Sequence, residues 1–236
     1  MLYPLLLIAG AVALVFYIRE KTRAYTVKAV LLKALVSVLF LSVGLYGAWR
    51  SAASGKAPPL APLVLLGLVC GLLGDVWLDL KYVFPEQKRP FTLAGFCSFG
   101  IGHVLFIAGL LLSYFPSGRP LFAVLPLIIG LLLGVGNVFL EKPMKLRYGE
   151  LKPVVVIYGA LLFSTLLCTG SLALAHAWQE RALNLFFLGA VLFAASDLIL
   201  SGTYFGEGKE RPVDLALNYL TYYPAQFLIA SSLLFL

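Results

Sequence analysis

Two aspartates stand inside apolar stretches of this chain, Asp75 and Asp197, where an ionisable side chain is costly unless it is paired or faces water. Asp79 follows Asp75 by four residues and shares its helix face. His103 and Lys33 are the other ionisable residues inside the apolar runs, with Asn137, Asn218, Tyr222, Tyr223 and Gln226 as uncharged companions. Two carboxyl groups in one low-dielectric chamber titrate apart, so that one holds its proton near neutral pH while the other is charged. General acid catalysis beside a carboxylate that stabilises a developing cation needs that pair of forms. The pattern names no substrate.

Each residue also has a plainer reading. Asp79 could be solvated near the interface or paired with Lys81, and Lys33 could snorkel to the inner surface. A lone histidine such as His103 is commonly a hydrogen-bonded packing residue. Tyr219, Tyr222 and Tyr223 could join an aromatic belt, although Tyr222 lies ten residues beyond Pro212, deeper than a belt requires. Cys70, Cys97 and Cys168 sit in apolar runs with no ligand spacing, so they read as small buried hydrophobes and not as a disulfide framework or zinc site.

The elements that must position these residues follow from composition. Of 236 residues 61% are hydrophobic and 12% charged, about half the charge of a soluble domain. The apolar residues come in long runs without amphipathic alternation, and a bilayer span needs about 20 of them. Unpaired backbone is not tolerated in lipid, so continuous runs of this kind are helices. The expected architecture is an all-α membrane protein of eight transmembrane helices, near 2–18, 28–49, 60–80, 92–114, 121–140, 153–176, 182–204 and 213–236. It forms one transmembrane domain, 1–236, with short loops and no soluble part. Gly55-Lys56-Ala57-Pro58-Pro59, Phe115-Pro116-Ser117-Gly118 and Gly206-Glu207-Gly208-Lys209 read as turns between spans. The first run, Leu2 to Ile18, has no basic segment before it and does not read as a cleavable signal.

Basic residues set the expected orientation. Arg19, Lys21, Arg23 and Lys28, then Lys81, Lys88 and Arg89, then Lys142, Lys145, Arg147 and Lys152, then Lys209 and Arg211 fall between odd and even spans. The remaining loops hold only Arg50, Lys56, Arg119 and Arg181. The positive-inside rule puts the first group in the cytoplasm and both termini outside. The net charge of +7 reflects this bias; it suits anionic lipid headgroups and gives no basic domain for nucleic acid. In this orientation Asp75, Asp79, Asn137 and Asp197 come late in their spans, Lys33, Asn218, Tyr222 and Tyr223 come early, and His103 lies near mid-span. The polar residues therefore gather in the inner half of the bilayer, as one pocket opening to the inner leaflet would require.

An internal echo accompanies this pattern. Gly67-x6-Gly74-Asp75-x2-Leu78 recurs as Gly189-x6-Ser196-Asp197-x2-Leu200 at a constant offset of 122. The two segments run the same way through the membrane, as expected of two parallel four-helix repeats, 1–120 and 121–236.

Four stretches in this order carry a resemblance: Gly74-Asp75-x2-Leu78, Phe91-x3-Gly95-x3-Phe99-x2-Gly102-His103, Ser196-Asp197 and Tyr222-Tyr223-Pro224-Ala225-Gln226. With them the whole chain resembles the lysoplasmalogenase (YhhN-like) family of integral membrane proteins. That resemblance implies hydrolysis of the vinyl ether bond of a lysoplasmalogen to a fatty aldehyde and glycerophospho-ethanolamine or -choline, without metal or other cofactor. It implies Asp75 and Asp197 as the catalytic pair, with either one as the acid. His103, Tyr222 and Gln226 would position water or the ether oxygen, and Lys33 would meet the lipid phosphate. The short loops fit a bacterial inner-membrane protein. Two other classes remain open at this level: a small transporter relaying protons or a cation through Asp and His, and a lipid-binding scaffold without catalysis. A transporter needs polar groups through both halves of the membrane, and a scaffold tolerates loss of both aspartates.

Overall fold

The computed structural model describes residues 2–55, 58–206 and 211–236. Lys56 and Lys209, with parts of the two turns read around them, lie outside the described residues. Eight α-helices follow one another: α1 (Leu2–Lys21), α2 (Val27–Ala53), α3 (Leu60–Val83), α4 (Lys88–Tyr114), α5 (Leu121–Gly136), α6 (Lys152–Ala175), α7 (Arg181–Phe205) and α8 (Pro212–Ser232). Among the described residues no strand forms; a single bridge joins Leu146 to Gly206. α2 is capped by the Thr26 hydroxyl, which accepts from the Ala29 N–H at 3.2 Å. α8 begins at Pro212, where the missing N–H costs nothing.

Seven of the eight, α1 to α7 with their flanking turns, are long and apolar enough to cross a membrane. Of the eight expected spans, α8 alone does not meet that standard of length and hydropathy. The reason is its sequence, which spends Asn218, Tyr219, Tyr222, Tyr223 and Gln226 on the interior, all buried. α8 packs against α7, α2, α1 and α3, so those polar groups face protein. The outer surface is the reverse of a soluble protein's. Leu5, Val15, Leu31, Leu112, Leu132 and Ile157 are each more than half exposed, which identifies the outer face as hydrocarbon-facing.

Several helices overrun their apolar stretches. α1 continues past residue 18 to Lys21 and α3 past residue 80 to Val83. Lys21 and Lys81, placed by hydropathy in loops, are thereby carried inside the bundle, where each is only 3–4% exposed.

The helices pack in consecutive pairs, α1 on α2, α3 on α4, α5 on α6 and α7 on α8, with α2 on α8 and α4 on α6 closing the bundle. Small residues permit the closest approaches. A Cβ on Gly74 would lie 2.6 Å from the Phe99 ring, so α3 and α4 interlock there. On α5, Gly130 and Gly134 lie against the backbones of Ser164 and Ala160 on α6, the small-xxx-small spacing of membrane helix pairs.

Candidate functional site

α3 supplies the centre of the polar interior. Asp75 and Asp79, one turn apart, both reach Lys33 on α2: its Nζ lies 3.4 Å from Asp75 Oδ1 and 3.4 Å from Asp79 Oδ1. Asp79 also accepts from Lys21 Nζ at 2.8 Å and from the Tyr17 hydroxyl at 3.1 Å. Asp79 is therefore neither solvated nor paired with Lys81; it is the counter-ion that holds α1, α2 and α3 together. Lys33 is 4% exposed and does not snorkel, because its ammonium is shared between two carboxylates.

Asp75 differs from Asp79 in its other partners. Its Oδ2 accepts from the Ser37 hydroxyl at 2.6 Å and from the Tyr222 hydroxyl at 2.9 Å. Tyr222 in turn accepts from Gln226 Nε2 at 3.0 Å. A chain of hydrogen bonds thus runs from α8 through Asp75 to α2.

Asp197 on α7 has a different setting. The Tyr158 hydroxyl of α6 donates to its Oδ2, and no cation lies within ion-pair distance among the described residues. Asn218 donates to the Ser196 carbonyl at 2.8 Å, fixing α8 against α7 beside it.

Asp75 and Asp197 line one cavity together with Lys33, Tyr158, Asn218 and Tyr222. Its remaining wall is mostly aromatic, including Phe96, Phe99 and Tyr204. A second cavity adjoins it. That cavity is apolar, lined by Leu140, Met144, Val155, Leu162 and Phe163, with Asn137 on its wall. Phe96, Tyr158, Asp197, Leu200 and Tyr204 belong to both walls, so Asp197 stands where the polar and the apolar spaces meet.

The remaining sequence candidates sit outside these walls. His103 Nδ1 is 3.0 Å from the Thr165 hydroxyl on α6, and its Nε2 has no partner among the described residues. Its ring packs against Phe106, Tyr158 and Phe193, 5.0 Å between centroids for Phe193. Tyr223 is fully buried behind Tyr222, edge-on to it and to Tyr17. Tyr158, Ser37, Tyr17 and Lys21 are the site residues the sequence did not single out. A hydroxyl within an apolar helix, or a lysine at a helix end, carries no signal until its partner on another helix is known. Among the described residues no three His, Cys, Asp or Glu side chains gather into a set that could hold a metal ion.

Apolar helices facing outward around an interior cluster of charges define an integral membrane protein whose charged side chains are gathered inside the bundle. The model of the YhhN family matches residues 24–233, and the chain belongs to that family. No curated protein and no solved structure matches the chain.

Proposed function

We propose that the protein is a membrane-embedded hydrolase that cleaves the vinyl ether bond of lysoplasmalogens, releasing a fatty aldehyde and a glycerophospho-ethanolamine or -choline. The observation that carries this reading is the placing of two aspartates on one cavity wall, Asp75 buried and Asp197 half-buried, only one of which has a cationic partner. Family membership is compatible with it.

The asymmetry assigns roles. Asp75, beside the Lys33 ammonium and accepting two hydroxyl hydrogen bonds, serves as the carboxylate. Asp197, with no cation, serves as the neutral acid. Asp197 delivers its proton to the vinyl carbon remote from the ether oxygen, leaving an oxocarbenium ion. The Asp75 carboxylate and the surrounding aromatic faces stabilise that cation. Water adds to the cationic carbon and loses a proton to a carboxylate, giving a hemiacetal. The hemiacetal hydroxyl proton leaves as the carbon–oxygen bond to glycerol breaks and the glycerol oxygen is protonated. One water is consumed, and aldehyde and alcohol are formed. The hydrocarbon chain occupies the apolar cavity beyond Asp197. Asn137 and Gln226 act as supporting polar groups, and His103 acts behind Tyr158 as a positioning residue.

In this reading α8 also crosses the bilayer. Its 21 residues span about 31 Å, close to the thickness of the hydrocarbon core, and its polar side chains are shielded by neighbouring helices. Eight crossings put both termini on one face, outside the cytoplasm in a bacterial inner membrane by the positive-inside rule. α3 packs on α4 as α7 packs on α8, and α8 on α2 as α4 on α6, which supports descent of the single domain from two parallel four-helix halves, 1–120 and 121–236.

The test is incubation of purified protein in detergent with a lysoplasmalogen, with fatty aldehyde as the readout. Aldehyde should appear from the vinyl ether and not from the saturated alkyl ether, which has no carbon to protonate. Asp75→Asn and Asp197→Asn should each lower turnover by about a hundredfold or more, the usual worth of a positioned acid or base, with the fold retained. Absence of aldehyde from the parent protein sinks the reading and favours a transporter or a lipid-binding scaffold.

A further inference from the structure

We propose that Lys81 is the anchor of a phosphate-binding pocket that holds the phosphodiester of the lysolipid; this rests on the hydrolase reading above and names the site's headgroup end. Three lysines are buried among the described residues, Lys21, Lys33 and Lys81. Asp79 and Asp75 neutralise the first two. Among the described residues Lys81 has no carboxylate within ion-pair distance, although it is only 4% exposed. Its Nζ lies 3.2 Å from the centroid of the Tyr204 ring and 4.9 Å from that of Tyr82. Ring faces offset part of the cost of burying an ammonium group, but they satisfy none of its three N–H donors.

The space in front of Lys81 is built for an anion. Lys81 lines a small cavity with Lys88, Thr92, Tyr82 and Tyr204. Lys88 opens α4 and is exposed, so the pocket offers a buried and an exposed lysine side by side. Among the described residues no acidic side chain is on its wall.

Its position fits the substrate. Tyr204 belongs to the walls of this pocket, of the aspartate chamber and of the apolar cavity. A lysolipid lying across Tyr204 places its hydrocarbon beside Leu162, its vinyl ether at Asp197 and its phosphate at Lys81. Lys33 cannot take that role while two carboxylates share its ammonium.

The experiment compares a 1-O-alkyl lysophosphatidylcholine, which resists hydrolysis, with the corresponding 1-O-alkylglycerol, which lacks phosphate. Binding to the purified full chain in detergent is read by intrinsic fluorescence, with inorganic phosphate as a third probe. The parent protein should prefer the phosphate-bearing lipid by about tenfold or more, the worth of one charge-assisted hydrogen bond. Lys81→Met should erase the preference without weakening alkylglycerol binding, Lys81→Arg should restore it, and Lys88→Met should reduce it in part. Alkylglycerol binding also reports that each variant is folded. An undiminished preference in Lys81→Met overturns the proposal. So does Lys81-dependent binding of inorganic phosphate with no preference between the two lipids, which would make this a site for the free anion. If the preference follows Lys81 but the parent releases no aldehyde from a lysoplasmalogen, the phosphate pocket stands and the hydrolase reading falls.

Discussion

The Tyr222 hydroxyl donates to Asp75 Oδ2 at 2.9 Å across 147 residues of sequence, joining the last helix to the third. Tyr158 makes the matching bond to Asp197 from α6. Each aspartate therefore depends on one phenol from another helix. Tyr222→Phe should lower aldehyde release about tenfold, the loss of one hydrogen bond to a charged group. Asp75 keeps Ser37 and Lys33 in that variant. Tyr158→Phe should lower it as well, because the Tyr158 hydroxyl donates to Asp197 Oδ2. Equal, near-parental rates in both variants would remove the phenols from the mechanism.

Asp79 tests the separation of structure from chemistry. It is the shared partner of Lys21, Lys33 and Tyr17. Asp79→Asn leaves two buried ammonium groups with a single carboxylate between them. Removing one partner of a buried ion pair costs about 3–5 kcal/mol, so thermal unfolding in detergent should move to clearly lower temperature. Asp197→Asn removes no ion pair and should unfold close to the parent. The reverse ranking would show that the Asp79 cluster does not hold the bundle together.

The α5–α6 contact makes a packing prediction. A Cβ at Gly130 would meet Ser164 Cα at 2.7 Å, and one at Gly134 would meet Ala160 Cα at 2.6 Å. Gly130→Val should destabilise by about 1–3 kcal/mol through overpacking. Gly136→Ala, with nothing within 4 Å, should leave the unfolding temperature almost unchanged. α5 bears on the apolar cavity through the turn that follows it, so Gly130→Val should also weaken binding of long-chain lysolipid.

A pH effect is expected outside the spans. Glu141, in the connection between α5 and α6, accepts from Lys152 Nζ at 2.7 Å and from the Tyr148 N–H at 3.0 Å. These bonds, the Lys152 bond foremost, hold its carboxyl below the usual carboxylate range. A depressed folded value contributes stability above the unfolded value of about 4.3, and that contribution is lost as pH falls through the lower folded value. The protection factor across 141–152, the exchange rate corrected for its intrinsic pH dependence, should be constant from pH 7 to about 5 and fall below about pH 4. In Glu141→Gln it should already be low at pH 7 and should not fall further on acidification.

Much of this protein was legible in its sequence. Continuous apolar runs demanded helices, and seven of the eight segments cross a membrane by length and composition because lipid-facing residues such as Leu31 and Ile157 must be apolar whatever their neighbours. The eighth falls short because its inward face carries Asn218, Tyr222, Tyr223 and Gln226, and which face of a helix meets protein is not written in its mean hydropathy. Asp75 and Asp197 stood out for the same reason that they matter, the cost of a carboxyl group in hydrocarbon.

The tertiary structure decided which groups meet. The sequence offered Asp79 to solvent or Lys81 and offered Lys33 to the membrane surface. Packing of α1, α2 and α3 gave Asp79 to Lys21 and Lys33, and it left Lys81 against Tyr204 without a carboxylate. It also separated Asp75, which has a cation beside it, from Asp197, which has none, although both are single carboxyls one residue after Gly74 or Ser196 in related motifs. Spacing along a helix specifies a face and a depth, whereas a charge's partner lies on a different helix and depends on how the helices are rotated and packed. Residue type and hydropathy determined where the polar chamber had to lie, and only the contacts among α2, α3, α6, α7 and α8 determined which of its two aspartates faces a positive charge.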